Sequence, residues 1–301
     1  NFFINYFLYK KQIENSVNKI ALKYNIKQID LSFRSIKMLK NSKFTIANYE
    51  IKNGYKNLYK NISLLDLMPS FDNRCIPIDE GKNYLFNRGS GLLIPLLYSK
   101  YFNLCIINEQ QWVNYYVETQ KAIIAIGDCI LIENNLYHYS YLERKKRFKE
   151  LSSHDFSEFD LLKIKYNYAL EHKLMIEEDG QFLNKEMSYE DMQNHLFDII
   201  KIFEKYFIFF EEKRLNQKID NWNYYFKLIS KEKKGVGFSD LSRIFSLFKK
   251  NGLFKMLFSS NQRHKIFKVS NNYLISILPF LLFSCKKNEF DSELVSFVCN
   301  C

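Results

Sequence analysis

The sequence predicts an α+β fold, a mostly antiparallel sheet packed by long amphipathic helices, with a helical C-terminal part. Three observations carry that prediction. Residues 122–133 (AIIAIGDCILIE) form a nearly unbroken apolar run. Leu162, Ile164, Tyr166, Tyr168 and Leu170 alternate with Lys163, Lys165, Asn167, Ala169 and Glu171, which reads as a half-buried strand. Ser188 with Asp191 makes an [ST]-x-x-[DE] capping box before a helical stripe of Met192, Leu196, Ile199, Ile200, Phe203, Tyr206, Phe207 and Phe210.

The elements follow in chain order. Residues 2–24 carry a helical pattern broken by Lys, Gln, Glu and Asn, 26–31 begin an extended segment, and 44–51 alternate imperfectly as a strand. Residues 61–91 hold Pro69, Pro77, Gly81, Gly89 and Gly91 with four carboxylates, the composition of a loop or lid. A helix is expected over 92–101, a short strand over 104–108 and a helix over 110–121, giving a strand–helix–strand unit with 122–133. Glu178-Asp179-Gly180 supplies a turn, 182–187 a returning strand, and Tyr189 to about Glu212 the strongest helix. Helices over 219–231 and 239–250 follow, separated by Gly235 and Gly237, with Asn251-Gly252 as a C-cap. The expected division is an α+β core over 1–212 and a helical extension over 213–301.

With 301 residues, 47% of them hydrophobic, the chain is long enough to bury a large core. Its 28 Phe and 21 Tyr against 9 Gly and 4 Pro, with abundant Lys, Asn and Ile, have the look of an AT-biased genome. That bias inflates Lys, so the net charge of +11 is weak support for a nucleic-acid partner. The clusters at 144–147, 231–234, 249–250 and 286–287 are short and scattered and read as solvated helix ends or turns.

Six cysteines at 75, 105, 129, 285, 299 and 301 lack framework spacing, and Cys105 and Cys129 stand inside apolar runs, which points to a reducing, cytoplasmic compartment. Residues 1–9 lack the basic n-region and small-residue cleavage site of a signal peptide. The chain opens on Asn1, which suggests a fragment or a processed form. The apolar run 273–285, with Pro279 inside it, is shorter than the ~20 residues of a membrane span and reads as buried core.

The loud motifs are absent: there is no P-loop, dinucleotide fingerprint, H-E-x-x-H or nucleophile elbow. Arg88-Gly89-Ser90-Gly91 brackets a serine with glycines but reads as a turn. The five histidines show no metal-ligand spacing, so neither metal nor cofactor is expected. His172 and His195 are expected to be solvated. His138 and His154 flank the loop between the two best strands, where imidazole can draw the proton from a thiol.

Asp128-Cys129 before Ile130-Leu131-Ile132 and Asn135-Leu136-Tyr137, then 159–178, then Met187 to Met192, together resemble papain-like domains of the kind found in the amino-terminal part of the butirosin-biosynthesis acyltransferase. Residues 220–248, with aromatic helices around Gly235-Val236-Gly237, are similar to the later part of that pattern. The resemblance implies acyl transfer or peptide processing in a natural-product setting, with an acyl carrier or peptide as substrate. Cys75 would be the nucleophile, His154 the general base, and Asp160 or Asp128 its orienter. Residues 1–74 hold no Cys, where such domains carry their nucleophile, and His154 precedes the strand it should open, so an inactive copy is expected. Two other readings stand beside it: a noncatalytic basic protein that binds RNA or a ribonucleoprotein, and a structural or interaction protein without a site of its own.

Overall fold

A computed structural model describes residues 2–24, 31, 33–56, 63–101, 109–179, 188–222, 224–225, 228–229 and 282–283. It contains helices and no strand among these residues, which overturns the α+β and papain-like expectation. Two compact units divide after Phe71. The expected boundary after Glu212 falls inside a continuous helix, and most of the expected C-terminal extension lies outside the described residues.

Unit 1 holds α1 (Phe2–Lys23), α2 (Ile36–Lys40), α3 (Ile46–Gly54) and a 3-10 turn at Leu64–Leu67. The strand expected over 44–51 is instead a helix start. Thr45 is extended, and its hydroxyl accepts from Asn48 N at 3.1 Å, satisfying a backbone donor that the first turn leaves unpaired. Ser35 caps α2 in the same way. Leu39, Ile46, Tyr49, Met68 and Phe71 are buried, and Phe44 stacks on Phe71 with ring centroids 5.0 Å apart.

Unit 2 begins with a 3-10 turn at Asn73–Cys75 and continues through α4 (Ile78–Tyr101), α5 (Glu109–Glu133), α6 (Tyr141–Glu150), α7 (Phe159–Asp179) and α8 (Tyr189–Leu215). Helix α5 is the axis, packed by α4, α6, α7 and α8. Every side chain of 122–126 and 128–132 is therefore buried. A run that is apolar on all sides has no period to distinguish helix from strand, which is why 122–133 misread. The run is the second half of α5, whose 25 residues are a helix length.

The second expected strand is α7. Leu162, Tyr166 and Leu170 are buried and fit both a period of two and a helical i, i+4, i+8 row, but Ile164 and Tyr168 between them are exposed. Phe159 and Ala169 complete the buried helical face. The second half of the expected lid over 61–91 is likewise helical: from residue 78 on it is α4, which starts directly after Pro77, a residue compatible with a helix start. Its glycines serve close packing: a Cβ on Gly81 would stand 2.8 Å from Phe210 Cζ of α8. On α5, Gly127 gives the Tyr166 ring of α7 room to lie on the helix backbone.

Helix α5 ends in a Schellman-type cap. Asn135 adopts φ 59°, Leu136 N donates to Leu131 O at 2.7 Å, and Asn135 N donates to Ile132 O at 3.0 Å. Helix α8 starts where the capping box places it, with Ser188 Oγ accepting from Asp191 N at 3.1 Å. Its face of Met192, Leu196, Ile200, Phe203 and Phe207 is buried. Beyond α8, Trp222, Tyr225 and Ile229 are helical, and Trp222 stacks on Phe283 at 5.0 Å. The strands expected at 104–108 and 182–187, the helix over 239–250 and the cap at Asn251-Gly252 lie outside the described residues.

Candidate functional site

The chemistry-bearing side chains of unit 2 gather along the C-terminal half of α5, where Asp128, Cys129 and Glu133 interrupt an apolar helix. A carboxylate buried there must be paired or neutralised. Asp128 is paired. It accepts from Arg144 Nη1 at 2.6 Å, from Tyr166 OH at 2.7 Å and from Tyr84 OH at 3.3 Å, and the Asp128 and Arg144 side chains are 0% and 1% exposed. Arg144 also stacks over the Tyr141 ring at 4.0 Å and the Tyr137 ring at 4.9 Å, and donates to Tyr137 OH and Tyr139 O. Burial first, and then the Asp128 charge, push the Tyr84 and Tyr166 hydroxyls up, so both stay protonated donors.

One turn along, Glu133 accepts from Tyr206 OH and Lys213 Nζ, each at 2.7 Å, with His154 Nε2 at 3.6 Å. Burial pushes this carboxyl up, but the combined effect of His154, Lys213 and Tyr206 outweighs it and holds Glu133 below its ordinary range. A third buried carboxylate, Glu211 of α8, accepts both Nε and Nη2 of Arg214 at 2.7 Å and Tyr225 OH at 2.9 Å. Arg214 reaches on to Asp79 at 3.3 Å. All three carboxylates share one construction, a cation and at least one tyrosine hydroxyl from other turns or helices.

Cys129 lies between the first two on α5. Its thiol donates to Gly81 O at 3.5 Å, and burial, followed by the charges of Glu133 and Asp128, raises its pKa well above the ordinary value. A thiolate is the nucleophilic form, so this environment suppresses rather than activates it.

The expected catalytic residues are placed apart in function. Cys75 is exposed in the 3-10 turn beside Arg74, whose guanidinium holds the Asp72 carboxyl below its usual range. His154 Nδ1 accepts from Phe156 N at 3.1 Å and its Nε2 faces Glu133, so the imidazole is hydrogen-bonded to neither Cys75 nor Cys129. Asp128 orients Arg144 rather than an imidazole. Asp160 is exposed in the first turn of α7. Cys105 and the three C-terminal cysteines lie outside the described residues.

The other described histidines also serve packing. His138 Nδ1 accepts from Ser140 N. His172, expected in solvent, is buried against the Tyr116 ring at 4.3 Å, and burial lowers its pKa. His195 bonds Tyr115 OH, and burial first, then Lys165, lowers its pKa. Among the described residues no three His, Cys, Asp or Glu side chains gather as a metal ion requires, and no helix is long and apolar enough to cross a membrane.

In the basic cluster 144–147, Arg144 is in the core, Lys145 pairs with Glu171 at 2.7 Å, Arg147 pairs with Glu143 at 2.9 Å, and Lys146 is exposed. Residues 231–234 lie outside the described residues. A lone acid inside an apolar run was the available signal for the Asp128 pair. Nothing local marked Arg144, Tyr166 or Tyr84 as its partners. No family model, no curated protein and no solved structure matches this chain.

Proposed function

We propose that this chain is a noncatalytic helical structural or interaction protein. The observation that carries this reading is the use of α5's reactive side chains. Asp128 is taken up by Arg144, Tyr166 and Tyr84, the Cys129 thiol by Gly81 O, and Glu133 by Lys213 and Tyr206. A general base needs a lone pair within reach of a substrate proton, and a nucleophile needs an accessible, deprotonated atom. Here those groups fix helix–helix register instead, the role a single polar contact plays in specifying helix packing. The cytoplasmic setting belongs to the same proposal, supported by Cys75 and Cys129 being free thiols.

The test is reactivity of the exposed thiol. Cys75 should alkylate with iodoacetamide at the rate of an unactivated cysteine, a His154→Ala substitution should leave that rate unchanged, and intact-mass spectrometry should find no acyl adduct after incubation with an acyl-thioester. Rapid labelling of Cys75 that His154→Ala abolishes would overturn the proposal.

A further inference from the structure

Helix α1 presents an apolar stripe to solvent. Tyr9, Ile13 and Ile20, and Tyr24 directly after the last turn, are 64%, 45%, 53% and 65% exposed, and their spacings of four, seven and four residues put them in one row, while Leu22, 81% exposed, lies on the opposite face. The same helix is basic. Lys10 and Lys23 lie at the two edges of the stripe and Lys11 and Lys19 further round, while the one acid of the helix, Glu14, stands 3.7 Å from Lys10. The next part of unit 1 repeats the character: Arg34, Lys37, Lys40 and Lys43 fall within residues 31–43, which contain no acid, and Ile36 and Met38 of α2 are exposed.

Exposed isoleucines gain free energy only by leaving water, and a row of ammonium groups beside them selects an anionic partner. We propose that α1 lies in the plane of an anionic lipid surface, its Tyr9–Ile13–Ile20–Tyr24 stripe in the acyl boundary and its lysines on the headgroup phosphates. Tyrosines at both ends of the stripe suit the interface, where a ring is half apolar and its hydroxyl stays wet. A second copy of the chain fits less well, because pairing two such stripes brings lysine rows together with no free acid to offset them. Nucleic acid would engage the lysines but leave Ile13 and Ile20 in water. The proposal names a partner for the interaction reading above, and its readout is independent of thiol chemistry. Its failure with Cys75 still unactivated would remove the partner and leave the noncatalytic reading standing.

The experiment is co-sedimentation of the full chain with phosphatidylcholine vesicles, with and without phosphatidylglycerol. Binding is expected only to the anionic vesicles and should weaken with added salt. The double substitution Ile13→Glu/Ile20→Glu, at exposed positions that leave circular dichroism unchanged, should lower the partition coefficient by about tenfold or more. Lys19→Glu/Lys23→Glu should weaken binding to anionic vesicles in the same direction. No binding to anionic vesicles, or equal binding by Ile13→Glu/Ile20→Glu, overturns the proposal. So does a dimer mass in light scattering that Ile13→Glu/Ile20→Glu abolishes, which would assign the stripe to a second copy.

Discussion

Replacing Asp128 by Asn keeps the shape of the side chain and removes its charge, leaving the Arg144 guanidinium buried without its counter-ion. The amide oxygen still accepts from Tyr166, while Arg144 and Tyr84, which share the other carboxylate oxygen, lose their acceptor. Breaking a buried pair by removing one partner costs about 3–5 kcal/mol, because the remaining charge is desolvated. The Tyr141 and Tyr137 rings over Arg144 offset part of that, about 0.5–2 kcal/mol for a desolvated cation–π contact, so the lower end near 3 kcal/mol is expected. A domain holds only about 5–15 kcal/mol in total, so this is a large fraction. In urea titrations followed by far-UV circular dichroism the midpoint should fall at constant m, by about 1–3 M for m of about 1–3 kcal/mol/M. The double variant Asp128→Leu/Arg144→Met removes both charges and should recover most of the loss, since apolar replacements of buried pairs are often neutral. An Asp128→Asn variant within about 0.5 kcal/mol of the parent, the range of ordinary surface changes, would refute the pairing.

Phe203, 1% exposed on the inner face of α8, should cost about 3–5 kcal/mol when cut to Ala, read from the same urea midpoint. Asn135 holds φ 59° at the end of α5, so Asn135→Val should lose about 1–2 kcal/mol in the left-handed region while Asn135→Gly is tolerated, as thermal melts would show. His172 and His195 have folded pKa values below 6.5, so the unfolded chain binds their protons first; their stabilisation is present above pH 6.5 and is lost as pH falls through the folded values. Glu133 is also depressed, so its contribution is present above pH 4.5 and is lost as pH falls through its folded value, giving a second, more acidic decline in the melting temperature that Glu133→Gln should flatten.

Helices α1 and α8 were legible in the residues because their signals are local. The Ser188–Asp191 box and a stripe at spacings of three and four specify α8 without reference to the rest of the chain. The strands expected at 122–133 and 162–170 failed for two different reasons. The first is buried on every side and so carries no period. In the second, the i, i+4, i+8 row of Leu162, Tyr166 and Leu170 satisfies both templates, and only the exposure of Ile164 and Tyr168 decides between them. The glycines of α4 looked like breakers because close helix approach is a tertiary fact: Gly81 is small for Phe210, more than a hundred residues away. Asp128 drew notice only through the papain-like resemblance, as an orienter; its cation sat in a basic cluster that read as solvated, and the pairing is made by α6 folding back on α5.

The central claim is that α5 is the buried axis of a helix bundle and that its reactive side chains are used in packing. Alkylation of Cys129, followed by peptide mass spectrometry across a urea series, tests it most directly. Cys129 should be protected in native buffer while Cys75 labels, becoming reactive along the same urea curve as the loss of circular dichroism, and earlier on that scale in Asp128→Asn. Labelling of Cys129 in native buffer, with a rate that rises around neutral pH as for an activated thiolate, would contradict it.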